Sequence, residues 1–278
     1  MKEVKKLESA FKEHLGWQAQ RVSFLVQFLI AVILARTVNL AELAEVFAGK
    51  ANTESKYKRL KRFFSSFAID FKIIAELIIH LLPAKDSWVL TLDRTNWKFG
   101  KKNINPLVLG IAYKGIAFPI FWITFSKKGN SNTQERIGLI ERFVTTFGIE
   151  RIKCITADRE FIGQEWFGCL LYLEIMPRIR IKENTLVTNS RGQLVPARDL
   201  FRGLKPGEVR ILEGERLVFG FELFVIGTVL PTGEYLIIVT GKEPETAMTD
   251  YAERWEIETL FGCLKSRGFR FESTYYRR

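Results

Sequence analysis

The chain reads as an α/β protein, with a helical N-terminal region, a mixed sheet with flanking helices, and a β-rich insertion ahead of one last helix. Two changes of pattern predict this. Apolar residues recur at three-to-four spacing as far as residue 82, and from Asp86 onward they gather in short β-branched runs. Between Lys182 and Gly241, turn signals alternate with short strand-like stretches: Asn189-Ser190-Arg191-Gly192, Lys205-Pro206-Gly207, Glu213-Gly214 and Pro231-Thr232-Gly233. The expected organisation is a helical region over 1–82, the first part of a core over 83–182, the insertion over 183–242, and the end of the core over 243–278.

Within the first region, apolar positions from Leu7 to Phe11 and from Leu40 to Phe47 follow a helical period, with Thr37 or Asn39 placed to start the second helix and Gly49 near its stop. Phe24 to Ala35 is strongly apolar, but about a dozen residues fall short of the roughly 20 that cross a bilayer, so a buried helix is expected. Asn52 or Thr53 then opens a basic amphipathic helix. Tyr57, Leu60, Phe63 and Phe64 share one side, and Lys56, Lys58, Arg59, Lys61 and Arg62 cover the rest. Such a helix either presents a solvated basic face or lies on a phosphate backbone.

In the core, Ser87 to Leu92 reads as a buried strand that delivers Asp93 at its end. Leu107 to Tyr113 and Ala117 to Phe125 form a hairpin about Lys114-Gly115, beside the Asp93 strand. Thr133 to Phe147 is helical, with Thr133 and Glu135 at its start and Gly148 as its stop. Ile152 to Ala157 is a second strand delivering an acid, Asp158. A helix over Gly163 to Glu174 and a strand over Met176 to Ile181 come next. Either aspartate alone is equally a strand-end cap or turn former.

Near the C-terminal end, Tyr251, Arg254, Glu258 and Lys265 return to one direction at about 100° per residue, within an arc of roughly 60°. Trp255 flanks this stripe on one side and Ile257 and Phe261 on the other, so it is expected to be partly buried. Arg254 and Glu258, at i and i+4, also suit a simple ion-pair ladder. With Asp93 and Asp158 they suit something more. Two strand-end acids and one helix-borne acid are the hard oxygen ligands of a phosphoryl-transfer site, where Mg2+ or Mn2+ ions about 4 Å apart clamp the attacking and leaving oxygens.

Thr91-Leu92-Asp93-Arg94-Thr95-Asn96-Trp97, Thr156-Ala157-Asp158-Arg159-Glu160-Phe161 and the Tyr-x2-Arg-x3-Glu-x6-Lys signature occur in that order. Together they resemble the bacterial DDE transposases of the insertion-sequence-four type, over roughly Ala51 to Phe271. The resemblance implies a ribonuclease-H-like mixed sheet and Asp93, Asp158 and Glu258 as a catalytic triad holding Mg2+ or Mn2+, with two ions expected. It further implies Tyr251, Arg254 and Lys265 as phosphate ligands and transposon-end and target DNA as partners, with a homodimer in the DNA complex. DNA cleavage and strand transfer are the implied reaction.

In that company Lys56, Arg59 and Arg62 are expected to contact DNA. Relatives that cut through a hairpin stack a flipped base on an aromatic ring. The insertion here holds no tryptophan, and Tyr235 is its candidate. Arg198, Arg202, Lys205, Arg210 and Arg216 are further backbone-contact candidates, or ordinary basic residues of an exposed sheet. Full-length relatives continue beyond the position of Tyr275-Tyr276-Arg277-Arg278, so a shortened copy is expected. Its alternatives to a transposase are an inactive DNA-binding regulator or a nuclease on the same scaffold.

Composition agrees. The 278 residues carry 42 Lys+Arg against 31 Asp+Glu, a net charge of +11, which fits a polyanionic partner or simple solubility. A hydrophobic share of 47% excludes a disordered basic tail. Three cysteines without ligand spacing and only two histidines argue against a zinc site or a histidine-based triad, and reduced thiols in a bacterial cytoplasm, near the nucleoid, are expected.

Overall fold

The parity of side chains along four neighbouring strands decides which residues meet. In the computed structural model, which describes residues 2–83, 85–99, 102–125 and 129–273, five helices come first: α1 (Lys2–Leu15), α2 (Ala19–Ala35), α3 (Leu40–Val46), α4 (Thr53–Ser66) and α5 (Phe71–Leu81). The core continues as β1 (Trp88–Arg94), β2 (Trp97–Phe99), β3 (Lys102–Tyr113), β4 (Ile116–Phe125), α6 (Thr133–Phe147), β5 (Ile152–Ala157), α7 (Gln164–Tyr172) and β6 (Pro177–Ile181). Then come β7 (Leu186–Thr188), β8 (Leu194–Pro196), β9 (Val209–Ile211), β10 (Arg216–Val218), β11 (Phe221–Val229) and β12 (Tyr235–Thr240), and finally α8 (Ala247–Ala252) and α9 (Trp255–Gly262).

One sheet runs β10-β11-β12-β6-β5-β1-β3-β2, with β4 on β3 and β9 on β11. Strands β1, β3 and β4 form an antiparallel meander. On the other side β1 lies parallel to β5, and β5 parallel to β6, through crossovers that contain α6 and α7. The expected hairpin turns at Lys114 and Gly115, whose φ of 53° and 87° are the left-handed pair that a two-residue hairpin needs. The insertion strands β9 to β12 do not stand apart from the core. Strand β12 pairs antiparallel with β6, so the central sheet grows through them, and only β7 and β8 form a separate pair.

Residues of one parity bury against α6 and α7. Leu90 and Leu92 of β1, Ile155 and Ala157 of β5 and Ile179 and Ile181 of β6 pack with Leu139, Ile140, Phe143, Trp166, Phe167 and Leu170 in one apolar core. Each such side chain is worth about 1.5–3 kcal/mol of burial. The other parity faces α8 and α9. There Val108 and Ala117 meet Ile257, Leu260 and Phe261, while Leu236 and Ile238 meet Tyr251. Asp93, Asp158, Arg178 and Arg180 belong to this second face.

Local starts agree with side-chain chemistry. Asn39 and Asn52, rather than Thr37 and Thr53, cap α3 and α4. Helix α6 is capped by Asn132 in a reciprocal box with Glu135, so Thr133 is its first residue and not its cap. Helix α4 buries Leu60 in a cluster with Phe24, Leu43 and Phe47 of α2, α3 and the loop after it, and Phe269 packs on the same cluster. No single helix among the described residues is long and apolar enough to cross a membrane. Helices α2 and α3 qualify by length and composition only as a pair, and the pair is bent by 99°.

Candidate active site

Strand register puts the two aspartates side by side. Leu92 pairs with Ala157 across parallel strands, so one residue further along Asp93 stands next to Asp158, at the shared C-terminal edge of β1 and β5. A bidentate ion pair ties these strand ends together. Arg94 Nε donates to Glu160 Oε1 at 2.8 Å and Arg94 Nη2 to Glu160 Oε2 at 3.1 Å.

The third acid arrives from the opposite face. The expected single helix is instead α8 and α9, joined through Glu253 and Arg254 whose backbone stays in the right-handed helical region, with a π-helical turn over Cys263–Arg267. Tyr251 and Arg254 are buried. Glu258 keeps 47% of its side chain exposed, and Lys265, within the π turn, has its Nζ 3.8 Å from Glu272.

Arg254, at the joint between α8 and α9, links two of the acids. Its Nη1 donates to Asp93 Oδ2 at 3.3 Å and its Nη2 to Glu258 Oε1 at 2.7 Å, and the guanidinium lies 4.5 Å from the Trp255 ring. Burial works against its charge, but Tyr251, Glu258, Asp93 and Asp158 outweigh this and hold its pKa above the ordinary arginine value. Burial pushes the Asp93 carboxyl up to about 7, against the pull of Arg254 and the Arg94 amide, and Glu160 and Asp158 add to the rise. Burial likewise raises the Tyr251 phenol, against the pull of the Arg254 guanidinium beside it.

A divalent cation can be tested against these groups. One oxygen of Asp158, Oδ1, is buried without a hydrogen bond, its nearest cation being Arg180 Nη1 at 3.9 Å. Asp93 is under-compensated, as its raised pKa records. Two hard oxygen donors short of positive charge on adjoining strand ends suit Mg2+ or Mn2+. The tight convergence of all three acids does not appear. Among the described residues no group of three or more His, Cys, Asp or Glu stands ready to hold a metal ion. Arg254 sits between Asp93 and Glu258 because a buried carboxylate needs a countercharge.

Other expected contacts are dispersed. Lys56, Arg59 and Arg62 lie on α4, and no hydrogen bond or ion pair among the described residues joins them to the acids. Arg59 packs over the rings of Phe24 and Phe47, at 5.1 and 5.9 Å. Tyr235 opens β12 opposite Val229 and packs on the central core, an ordinary strand position, while its carbonyl accepts from Arg180 Nη2 at 3.0 Å. Arg198 and Arg202 pair with Asp199.

Arg178 and Arg180 join the site without any motif to mark them. Alternation in Pro177-Arg178-Ile179-Arg180-Ile181 points to a solvated face, yet the two arginines are only 1% and 6% exposed. Their strand lies between β5 and β12, a placement that no local pattern marks, and buried arginine demands partners.

Residues 84–278 match a family described as "Transposase DDE domain". A search of curated proteins gives no match. Among solved structures, the piggyBac transposase in its synaptic complex with hairpin DNA is similar at 9% identity and a TM-score of 0.46, over 94% of this chain and 65% of that one. A chain of the simian T-cell lymphotropic virus intasome is similar at 15% identity and a TM-score of 0.30, over 55% of this chain and 50% of that one. The chain thus spans less than two thirds of the piggyBac transposase chain and half of the second chain. Because the family match takes in the greater part of the sequence, including both aspartate-bearing strands and the Tyr251 to Lys265 segment, the chain belongs to the DDE-domain transposases.

Proposed function

We propose that this protein cleaves DNA at the ends of an insertion sequence and transfers the freed strand, using Asp93, Asp158 and Glu258 on a ribonuclease-H-like core. The observation that carries the reading is the placement of Asp93 and Asp158 on adjoining parallel strand ends. The antiparallel β1-β3-β4 meander continued by parallel β5 and β6 supports the ribonuclease-H-like assignment.

Asp93, Asp158 and Glu258 would hold Mg2+ or Mn2+. When bound, the metal supplies a nucleophilic water and neutralises charge on the phosphodiester. The chain's own groups bind and orient the DNA. Arg254 is a planar fork suited to a phosphate, Lys265 a point charge, and the buried Tyr251 hydroxyl a donor in a water-poor site. Helix α4, with Lys56, Arg59 and Arg62, would lie on the DNA backbone. Two copies would pair on DNA, which light scattering with and without end DNA checks.

Purified protein incubated with DNA carrying its flanking inverted repeats tests this directly. Nicking in Mg2+, loss of nicking in EDTA, and loss on Asp93→Ala, Asp158→Ala or Glu258→Ala with end binding retained are expected. Cleavage by Glu258→Ala would refute the assignment, and cleavage without strand joining would make the protein a nuclease. One observation favours a DNA-binding regulator instead, namely Arg254 lying between Asp93 and Glu258. That reading predicts specific end binding with no metal-dependent nick.

A further inference from the structure

The helix pair that carries Tyr251, Arg254 and Glu258 is fixed to the sheet in two different ways. Helix α9 is held by apolar packing of Ile257, Leu260 and Phe261 on β3 and β4. Helix α8 adds charge to the apolar packing of Met248 and Tyr251 on Leu236 and Ile238 of β12. Asp250, 3% exposed, accepts from Arg178 Nε of β6 at 3.1 Å through Oδ2 and from Lys153 Nζ of β5 at 2.7 Å through Oδ1. Arg178, 1% exposed, spends its other donors on the hydroxyls of Thr240 and Thr246 and the carbonyl of Lys242, just ahead of α8. Thr246 lies within 3.3 Å of Asp250 Oδ2 as well.

A buried pair hydrogen-bonded to this extent adds little stability over an apolar packing of the same volume, whereas it admits one register only. An apolar α8 could slide or rotate on the sheet, but a carboxylate between a strand-borne guanidinium and ammonium cannot. Asp250 is next to Tyr251 and one helical turn from Arg254. Strand β5, which supplies Lys153, leads directly into Asp158.

We infer that Arg178 and Asp250 are positioning residues of the active site, an ionic clamp that sets α8 on β5 and β6 so that the α8–α9 joint delivers Arg254 to Asp93. The inference rests on the proposed DNA-cleaving role of Asp93, Asp158 and Glu258. Both clamp residues are buried and their polar atoms face each other and α8. They act through the placement of Tyr251 and Arg254.

Two variants separate positioning from bulk stability. In Arg178→Met/Asp250→Leu the buried charges are replaced by apolar side chains of similar size, and Lys153, 48% exposed, can turn to solvent. The expected result is a melting temperature and end-DNA affinity close to those of the parent, with kcat for nicking lower by about tenfold or more. Amide hydrogen exchange over 247–258 should quicken while β1 and β5 stay protected, a readout that does not depend on nicking. If the double variant fails to fold, Thr246→Val removes one hydroxyl from the clamp and no charge, and a fall in kcat at unchanged KM is expected with faster exchange over 247–258. Normal kcat, or unchanged exchange over 247–258, in the folded variant overturns the clamp. A parent protein that never nicks in Mg2+ overturns the catalytic reading alone, and the exchange measurement still decides on the clamp.

Discussion

Arg254 and Asp93 stand 161 positions apart in sequence and meet at 3.3 Å, with only 4% and 16% of their side chains exposed. Each limits the cost of burying the other. Arg254→Ala should therefore destabilise the protein by about 3 kcal/mol, the range for removing one partner of a buried pair. Adding Asp93→Asn should recover part of that loss, because the uncompensated charge is gone. Urea unfolding of the two single variants and the double variant measures the coupling, and additive losses would contradict the pairing.

The raised Asp93 pKa gives stability a particular pH dependence. Between the ordinary carboxyl value of 3.8 and about 7 the unfolded chain releases this proton while the folded protein keeps it. The contribution of Asp93 is thus full below pH 3.8, falls as pH rises through this window, and levels off above about 7, a change on the order of a few kcal/mol at most. Stability of the parent relative to Asp93→Asn should decline across pH 4–7. A flat difference would mean that the site compensates Asp93 more fully than its burial indicates.

Helix α4 separates two kinds of basic residue. Arg59 stacks over Phe24 and Phe47, so Arg59→Ala should lower thermal stability as well as any DNA affinity. Exposed Arg62 should affect DNA binding alone. If it meets a phosphate, Arg62→Ala reduces the slope of log affinity against log salt by roughly 0.9. End binding measured between low and moderate salt, beside a thermal melt of each variant, checks both statements.

Period and spacing encode local structure, and they disclose the parts of this fold that are local. The runs ending at Asp93 and Asp158 are apolar and β-branched enough to announce buried strands, and the hairpin at Lys114-Gly115 announces itself by its turn residues. The register that sets Leu92 against Ala157, and hence one aspartate against the other, is a long-range pairing with no local mark. The joint at Glu253-Arg254 is hidden because the Tyr251 to Lys265 spacing suits a single helix, whereas the sheet holds α8 and α9 as two. Arg178 and Asp250 are invisible for the same reason: each looks solvated in its own segment, and only the packing of α8 on β6 makes them partners.

Metal binding should be readable without any cleavage assay. A ligand that binds the folded protein alone stabilises it by RT ln(1 + [L]/Kd), about 2.7 kcal/mol at a hundredfold excess over Kd. The unpartnered Asp158 Oδ1 and the under-compensated Asp93 are the groups with most to gain from a cation. Mn2+ should accordingly raise the melting temperature of the parent by several degrees, at about 2–4 °C per kcal/mol for a protein of this size. Asp158→Ala should lose most of that rise. Glu258→Ala should keep part of it, since Glu258 is engaged by Arg254 and half exposed. Equal Mn2+ shifts in parent and Asp158→Ala would place the cation elsewhere on the protein and remove the support that the strand-end carboxylates give to metal-assisted chemistry.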